Sequence, residues 1–342
     1  MKRIIVDMMG GDNAPLETVK GVCLAAEEIE AEFVLVGNKE ELLRVAEENE
    51  LSLDGFEIVH TEGVITMEDE PISVVRTKAD SSMGVGLKML AEGRGDAFVS
   101  TGNTGALYTG SCLIVRKIKG ARRPAIGAVL PMHPPVLLLD SGANIDVTPE
   151  YMEQFAVMGS VFANKIMGLE EPRVGLLNNG AEAHKGTPLQ IDTYKLLSEN
   201  GYIKFVGNVE GNQVMRDYCD VLVTDGFTGN ILLKTMEGMG SLALHTLKDL
   251  FTEDIATKTA YLLVRSHVGD IKKNFDSAEF GGSPILGIAK PVIKAHGSSK
   301  AKAFKNAIRQ AVEFSNADLN KDLESSLAEL AQFRKEKKNE EK

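Results

Sequence analysis

Residues 220–234 read D-V-L-V-T-D-G-F-T-G-N-I-L-L-K, and this stretch decides how the rest of the chain is read. Val221, Leu222 and Val223 form a short apolar run with polar neighbours, the pattern of a buried strand. Thr224, Asp225 and Gly226 end it. Thr228, Gly229 and Asn230 then open an apolar, helix-like segment. A strand that passes through glycine into a helix N-terminus is a ready anion site. Glycine lets the backbone come close, and the first helical turn has free N–H groups and a partial positive charge.

The pattern recurs. Residues 3–7 run into Met8-Met9-Gly10-Gly11-Asp12, and residues 97–99 into Ser100-Thr101-Gly102-Asn103-Thr104-Gly105. Residues 136–139 run into Asp140-Ser141-Gly142-Ala143-Asn144, and residues 174–177 into Asn178-Asn179-Gly180. Residues 292–295 run into His296-Gly297-Ser298-Ser299. In a parallel sheet such turns share the carboxyl edge, where open α/β folds bind ligands. The expectation is therefore one composite site on a mostly parallel sheet with helices on both faces.

The chain has 342 residues, enough for a large core, and a net charge of −11, which argues against nonspecific nucleic-acid binding. Cys23, Cys112 and Cys219 are far apart and form no C-x-x-C, so a reducing compartment without a zinc site is expected. The first strand begins almost at once, and no apolar run is long enough for a bilayer. A cytoplasmic protein is expected. Residues 1–319 read as one α/β domain, and residues 320–342 as a charged helical tail, solvated or frayed.

Between the turns, Asn13 is a candidate cap for a helix to about residue 30, and Asn38 for a helix to about residue 50. Residues 32–37 and 56–60 read as strands, and 63–71 as an acidic loop. Residues 71–93 read as helix broken near 80–82, and 104–119 as helix. Pro131 and the pair Pro134-Pro135 split residues 124–139 into a hairpin. Thr148 heads a helix over 149–167. A helix follows over 188–200, a strand over 202–206 and a glycine-rich loop over 275–284. Ser298 or Ser299 is expected to cap a last helix from residue 300.

Dinucleotide binding wants G-x-G-x-x-G after the first strand, and M-M-G-G-D fails that spacing. No Walker motif and no G-x-S-x-G elbow is present. Asp7, Asp140 and Asp225 stand at strand ends, either as metal ligands or as bonding partners of the turns' own N–H groups. Lys185 lies in a polar loop, N-N-G-A-E-A-H-K-G, that adjoins a strand end; a lysine there suits an oxyanion or phosphate. His296 is either a hydrogen-bonded histidine of the fold or a catalytic one. Taken alone, the residues describe an α/β enzyme that binds a small anion.

These turns also resemble one family. V-D-M-M-G-G-D-N-A-P, S-S-M at 81–83, S-T-G-N-T-G-A-L, L-L-L-D-S-G-A-N, P-R-V-G-L-L-N, V-T-D-G-F-T-G-N and K-A-H-G-S-S occur in the order found in the phosphate acyltransferase PlsX family of bacterial phospholipid synthesis, over about residues 3–315. The chain departs from it at Met8, where the family usually has alanine, and in the lysine loop, which reads N-N-G-A-E-A-H-K-G where the family tends toward N-x-G-E-E-x-x-K-G, so that Ala181 precedes Glu182. The resemblance implies that inorganic phosphate attacks the thioester of a long-chain acyl–acyl-carrier protein. Acyl phosphate results, for acylation of glycerol-3-phosphate. It implies an isocitrate/isopropylmalate dehydrogenase-like fold, a homodimer, and no redox cofactor or metal. Peripheral contact with the inner face of the membrane and association with a glycerol-3-phosphate acyltransferase are implied too. The site expected on motifs and strand ends together has Lys185, Asn230 and His296 as catalytic residues. Substrate would be held by Asp7, Gly10, Gly11, Ser82, Asn103, Thr104, Gly105, Asp140, Asn144, Asn178, Gly186, Asp225, Thr228, Gly229 and Ser298.

Two surface features complete the reading. Arg116, Lys117, Lys119, Arg122 and Arg123 make a basic cluster suited either to an acidic carrier protein or to a helix C-terminus in water. Residues 252–271 form an amphipathic helical insertion. On a helix, Phe251, Ile255 and Leu262 share a face, with Leu263 toward its edge and Lys258 and Arg265 beside it. Such a stripe suits a bilayer, an acyl chain, the protein's own core or a dimer partner.

Overall fold

Alternating apolar runs and helical periods build one sheet of 11 strands in the computed structural model, which describes residues 1–274 and 281–340, and of residues 266–274 the backbone alone. The strands are β1 (Lys2–Asp7), β2 (Ala31–Gly37), β3 (Glu57–His60), β4 (Ala97–Ser100), β5 (Ala125–Leu130) and β6 (Val136–Leu139). They continue with β7 (Arg173–Asn178), β8 (Lys204–Glu210), β9 (Val221–Val223), β10 (Ser283–Leu286) and β11 (Val292–Lys294). The helices are α1 (Leu16–Glu28), α2 (Lys39–Glu48), α3 (Ser82–Ala91), α4 (Thr104–Gly110) and α5 (Pro149–Lys165). After them come α6 (Pro188–Ser198), α7 (Gly226–Thr252), α8 (Ile255–Asn274), α9 (Ala301–Asn316) and α10 (Leu319–Glu340).

Strand order is β3-β2-β1-β4-β11-β10-β5-β6-β9-β7-β8. Helices cover both faces, so the inner strands are apolar throughout. In β1, Ile4 and Val6 join the core under α1, α5 and α9, while Ile5 joins the core under α3 and α4. That alternation is the two-residue repeat of a strand buried on both faces.

The expectation of a single carboxyl edge is corrected. Pairing is antiparallel at β11–β10, β10–β5 and β5–β6, and parallel elsewhere. An odd number of reversals turns the strand direction over. The C-terminal ends of β1, β4 and β11 therefore leave one edge of the sheet, and those of β6, β9 and β7 leave the opposite one. The β5–β6 hairpin was legible from its prolines. The strand β10 was not, because its apolar run is very short and follows glycine.

Several local expectations also change. Asn13 does not cap α1; its amide donates to the Ser298 carbonyl at 3.1 Å. Helix α4 ends at Gly110, followed by a π-helical turn, Ser111–Val115, that stops where Arg116 takes φ 74°. The strand expected over 202–206 lies at Lys204–Glu210. No side chain of Ser298 or Ser299 caps α9, whose first N–H, Ala301, is taken by Glu17 Oε2 at 2.7 Å. Asn38 caps α2 through Glu41 N–H, and Ser81 caps α3 at the expected break. Residues 275–280 of the expected loop lie outside the described residues.

Helix α10 is no frayed tail. Leu319, Leu323, Leu327 and Leu330 recur at helical spacing and are buried with α5. Past them the Arg334 guanidinium forks onto the buried Glu153 carboxylate, to which Asn200 Nδ2 also donates at 2.9 Å. Helices α7 and α8 behave in the opposite way. In α7 only Gly226 and Gly229 are buried, and the rest of the helix, about 40 Å long in all, packs mainly on α8. Phe251 closes onto Tyr261 at 5.5 Å between ring centres, so it is not part of an open stripe. Met239, Leu242, Leu250, Ile255, Leu262 and Leu263 are exposed. Among the described residues no helix is long and apolar enough to cross a membrane.

Candidate active site

The site is built from the turn that opened the sequence reading. Asp225 caps α7: its carboxylate accepts from Thr228 N–H at 2.8 Å and from Thr228 Oγ1 at 2.7 Å. Gly226 N–H donates to the Asn144 carbonyl at 2.7 Å. The helix N-terminus expected to be open to an anion is thus largely capped by the protein itself. Gly229 explains the glycine. A Cβ there would lie 2.0 Å from the Asp140 carbonyl oxygen, so α7 rests directly on the turn after β6. Asn230 is exposed next to Gly142, and among the described residues its amide has no hydrogen-bond partner.

The turn after β6 is organised by Asp140. Its buried carboxylate accepts from the N–H groups of Ile126 (3.0 Å) and Asn144 (2.7 Å) and from Asn144 Nδ2 (2.8 Å). Burial pushes this carboxyl up from the ordinary aspartate value, and the donors pull the other way. Asn144 Oδ1 accepts from the Tyr108 hydroxyl at 3.0 Å. These two residues hold the turn, and their side chains are fully occupied in doing so.

On the other edge Asp7 has the same role. Ser82 Oγ and Ser100 Oγ each donate to it at 2.6 Å, and burial pushes its carboxyl up. A Cβ on Gly10 would meet Asp7 Oδ2 at 2.7 Å and Gly102 N at 2.8 Å; Gly11 has φ +95°. Asn103 caps α4 through Ala106 N–H (3.0 Å), and its amide donates to the carbonyls of Thr66, Met67 and Asp69 at 3.2 Å each. It fastens the acidic loop. Thr104 and Gly105 form the first turn of α4, with Pro71 against Gly105.

Past β7, Asn178 Nδ2 donates to the Lys185 carbonyl at 3.1 Å, and Gly186 turns the chain at φ +94° close to Asn178. The Lys185 stem crosses Gly180 and its ammonium is exposed, with no ion pair among the described residues. Past β11, His296 is exposed. Its Nε2 lies 3.0 Å from Lys234 Nζ and its Nδ1 2.9 Å from Ser298 Oγ. An ammonium only donates, so Nε2 accepts from Lys234, while Nδ1 faces both the Ser298 hydroxyl and, at 3.3 Å, the Ser298 N–H. Burial and then the charges of Lys234 and Lys294 hold its pKa below the ordinary histidine value.

One helix joins the two edges. Asn230 and Lys234 are four residues apart on α7, on one face and separated by about 6 Å of rise. Asn230 lies at the turn after β9, and Lys234 reaches the turn after β11. The helix that carries Asn230 thus reaches His296 and Ser298 through Lys234. Lys185 shares a sheet edge with Asn230, since β7 and β9 are neighbours, but among the described residues no hydrogen bond or ion pair links its loop to α7 or to residues 294–299.

Residues 2–322 match the family model described as fatty acid synthesis protein. This chain belongs to that family. A relative from Thermoanaerobacterium thermosaccharolyticum, named phosphate acyltransferase, is 47% identical over 310 residues, 90% of this chain and 92% of the relative. Among solved structures, a phosphotransacetylase from Streptococcus pyogenes superimposes with TM-score 0.61 at 16% identity, over 93% of this chain and 94% of the other. A 4-hydroxythreonine-4-phosphate dehydrogenase from Klebsiella pneumoniae gives 0.57 at 12%, over 92% and 100%. These structural likenesses speak to the fold alone: a mostly parallel α/β sheet shared by a phosphotransacetylase and a 4-hydroxythreonine-4-phosphate dehydrogenase.

Within this family member, sequence reasoning missed two cations, Lys234 and Lys294. Both were in view. Lys234 closes the quoted stretch one turn past Asn230, and Lys294 opens K-A-H-G-S-S. Helical spacing from Asn230 is the signal that finds Lys234. No spacing rule carries α7 across to β11, and only the fold supplies that.

Proposed function

We propose that this chain is a phosphate acyltransferase that moves a long-chain acyl group from acyl-carrier protein to inorganic phosphate. The product, acyl phosphate, feeds acylation of glycerol-3-phosphate. The observation that carries the reading is the row Asn230, Lys234, His296, in which an unpaired amide and a cation on one helix face meet an imidazole from the turn after β11, beside glycine turns. A phosphate oxygen attacks the thioester carbonyl, the carbon–oxygen bond forms, the carbon–sulfur bond breaks, and the carrier thiolate leaves and takes up a proton. Positioning both reactants and stabilising the oxyanion supply the rate. Asn230 donates to the reacting carbonyl or phosphate, Lys185 contributes its free ammonium, and His296 orients Lys234. The glycines of the turns let both substrates approach the backbone.

No cysteine suits a covalent acyl-enzyme. Burial pushes the thiols of Cys23 and Cys112 up and that of Cys219 up to about 12. Direct transfer to phosphate needs no protein nucleophile and accords with thiols whose pKa burial raises. The fold is shared with phosphotransacetylases, which makes acyl-coenzyme A the rival donor. Phosphate-dependent consumption of acyl-carrier protein and of acyl-coenzyme A, measured side by side, decides: preference for the coenzyme overturns the carrier-protein reading.

The assembly follows the same reasoning. A homodimer covers much of the apolar surface of α7 and α8, and the end of that hairpin, with Ile255 and Leu262, touches the inner face of the membrane weakly. There the acyl phosphate is handed to the glycerol-3-phosphate acyltransferase of an otherwise cytoplasmic pathway. Arg116, Lys117, Lys119, Arg122 and Arg123 are all exposed and steer the acidic carrier protein.

A further inference from the structure

Lys294 is the last residue of β11, opposite Ser100 of β4 and Ser283 of β10. It is partly buried, and among the described residues its ammonium has no ion pair and no hydrogen bond. Among the described residues, the charged groups that face it are Lys234 and Glu237 from α7, Asp12 from the turn after β1, and His296 on its own loop. Glu237 is already held by Lys234 at 2.8 Å, and Lys234 also holds His296. The surrounding backbone is kept close by Asp12 N–H, which donates to the Gly297 carbonyl at 2.9 Å, and by Gly11 and Gly297. Two ammonium groups thus converge on one glycine-lined turn. Glu237 is bonded to Lys234 alone and Asp12 stands beside Gly297, so among the described residues neither carboxylate is bonded to the partly buried Lys294 ammonium, which is left free to meet an oxyanion.

We propose that Lys294 and Lys234 bind a phosphate-class oxyanion in the angle between β11 and α7, one helical turn from Asn230. The inference rests on the phosphate acyltransferase reading. Two sources share the chemistry: inorganic phosphate, and the phosphodiester of the phosphopantetheine arm that carries the acyl group. An independent consequence follows from the setting. Burial, and then the charge of Lys234, hold Lys294 down to about 8. A bound anion restores its affinity for the proton, so binding near pH 8 takes up protons. Above pH 8 the affinity falls by up to about tenfold per pH unit as the free amine loses its charge.

The test is calorimetry on the full chain, with Lys294→Met and Lys294→Arg and without any acyl donor. Inorganic phosphate is titrated at pH 7 and pH 8.5 in two buffers of different ionisation heat. If inorganic phosphate is the ligand, wild type takes up protons at the higher pH and Lys294→Met loses about tenfold or more in affinity. Lys294→Arg, always charged, binds without the alkaline decline. If the phosphodiester is the ligand, phosphate affinity is the same in all three. The preference for carrier protein bearing the arm over carrier protein lacking it then disappears in Lys294→Met. Where Lys294→Met melts early, Lys294→Arg decides alone through its pH profile. Wild-type behaviour of both variants in both titrations overturns the site. Phosphate binding that depends on Lys294, in a protein that makes no acyl phosphate, keeps the site and sinks only the functional reading.

Discussion

Gly229→Ala isolates the contact on which the site geometry depends. In a helix interior this change normally stabilises by about 1 kcal/mol, because alanine loses less backbone entropy than glycine. Here the added Cβ would stand 2.0 Å from the Asp140 carbonyl oxygen, 2.9 Å from Thr224 Cγ2 and 3.1 Å from the Asp140 carbonyl carbon. Backbone cannot swing aside as a flexible side chain can. The Asp140 turn is moreover pinned by several N–H donors to its own carboxylate. Helix α7 must therefore lift from the turn by more than an ångström. Overpacking of this severity costs about 3 kcal/mol, which leaves a net loss of about 2 kcal/mol after the helical gain. A chain of this size then melts only a few degrees lower, at about 2 °C or less per kcal/mol. Turnover falls much further, because Asn230 moves with the helix, and displacements near an ångström cost about a hundredfold in rate. Gly238→Ala on the same helix is the control: its Cβ meets nothing within 4 Å, so it keeps turnover and melts up to about 2 °C higher through the helical gain alone. Differential scanning fluorimetry beside a phosphate-dependent thioester assay reads both. A Gly229→Ala protein that melts as wild type and turns over normally refutes the close approach of α7 to the Asp140 turn.

Lys185→Ala abolishes turnover with little change in melting temperature, since its ammonium has no partner among the described residues; near-normal kcat removes it from the mechanism. Arg334→Ala leaves the Glu153 carboxylate buried with only Asn200 beside it and destabilises the chain by about 3 kcal/mol in urea unfolding; a loss under about 1 kcal/mol would show that α10 does not depend on this pair. Ile255→Asp with Leu262→Asp releases the protein from anionic vesicles in a flotation assay while dimer mass and turnover persist. If the double variant dissociates to monomers, the hairpin end belongs to the dimer contact and the membrane reading fails.

The sequence exposed most of the fold because its strands are buried on both faces and end in glycine. Val221–Val223 is found where its apolar run lies, and the β5–β6 hairpin where its prolines fall. Strand direction was not legible. It turns over at the β5–β6 hairpin, which the prolines did show, but the strand-end turns were still placed on one edge; β10, antiparallel to both neighbours, was missed because its short run after glycine carries no period to read. The charged tail misled for a related reason: a composition rich in Lys and Glu hid Leu319, Leu323, Leu327 and Leu330, which are one buried stripe.

The site was legible as a set of turns and not as a geometry. Asp7, Ser82, Asp140 and Asn144 have the polar atoms of ligand-binding residues, yet those atoms are buried and bonded to the protein. Strand-end position alone cannot separate a residue that shapes a turn from one that touches a ligand. Asn230, Lys185 and His296 stand out only once exposure and hydrogen-bond partners are known. Lys234 and Lys294 complete the neighbourhood through a contact between segments about 60 residues apart, which no local pattern encodes.

The central claim is direct acyl transfer to phosphate, and product analysis tests it most directly. The protein is mixed with palmitoyl-acyl-carrier protein and ¹⁸O-labelled inorganic phosphate, and the products are read by mass spectrometry. The account predicts palmitoyl phosphate carrying the label, formed in step with free carrier protein and with no acylated form of the enzyme. Free palmitate with no acyl phosphate, or an acyl group found on the protein itself, would contradict it.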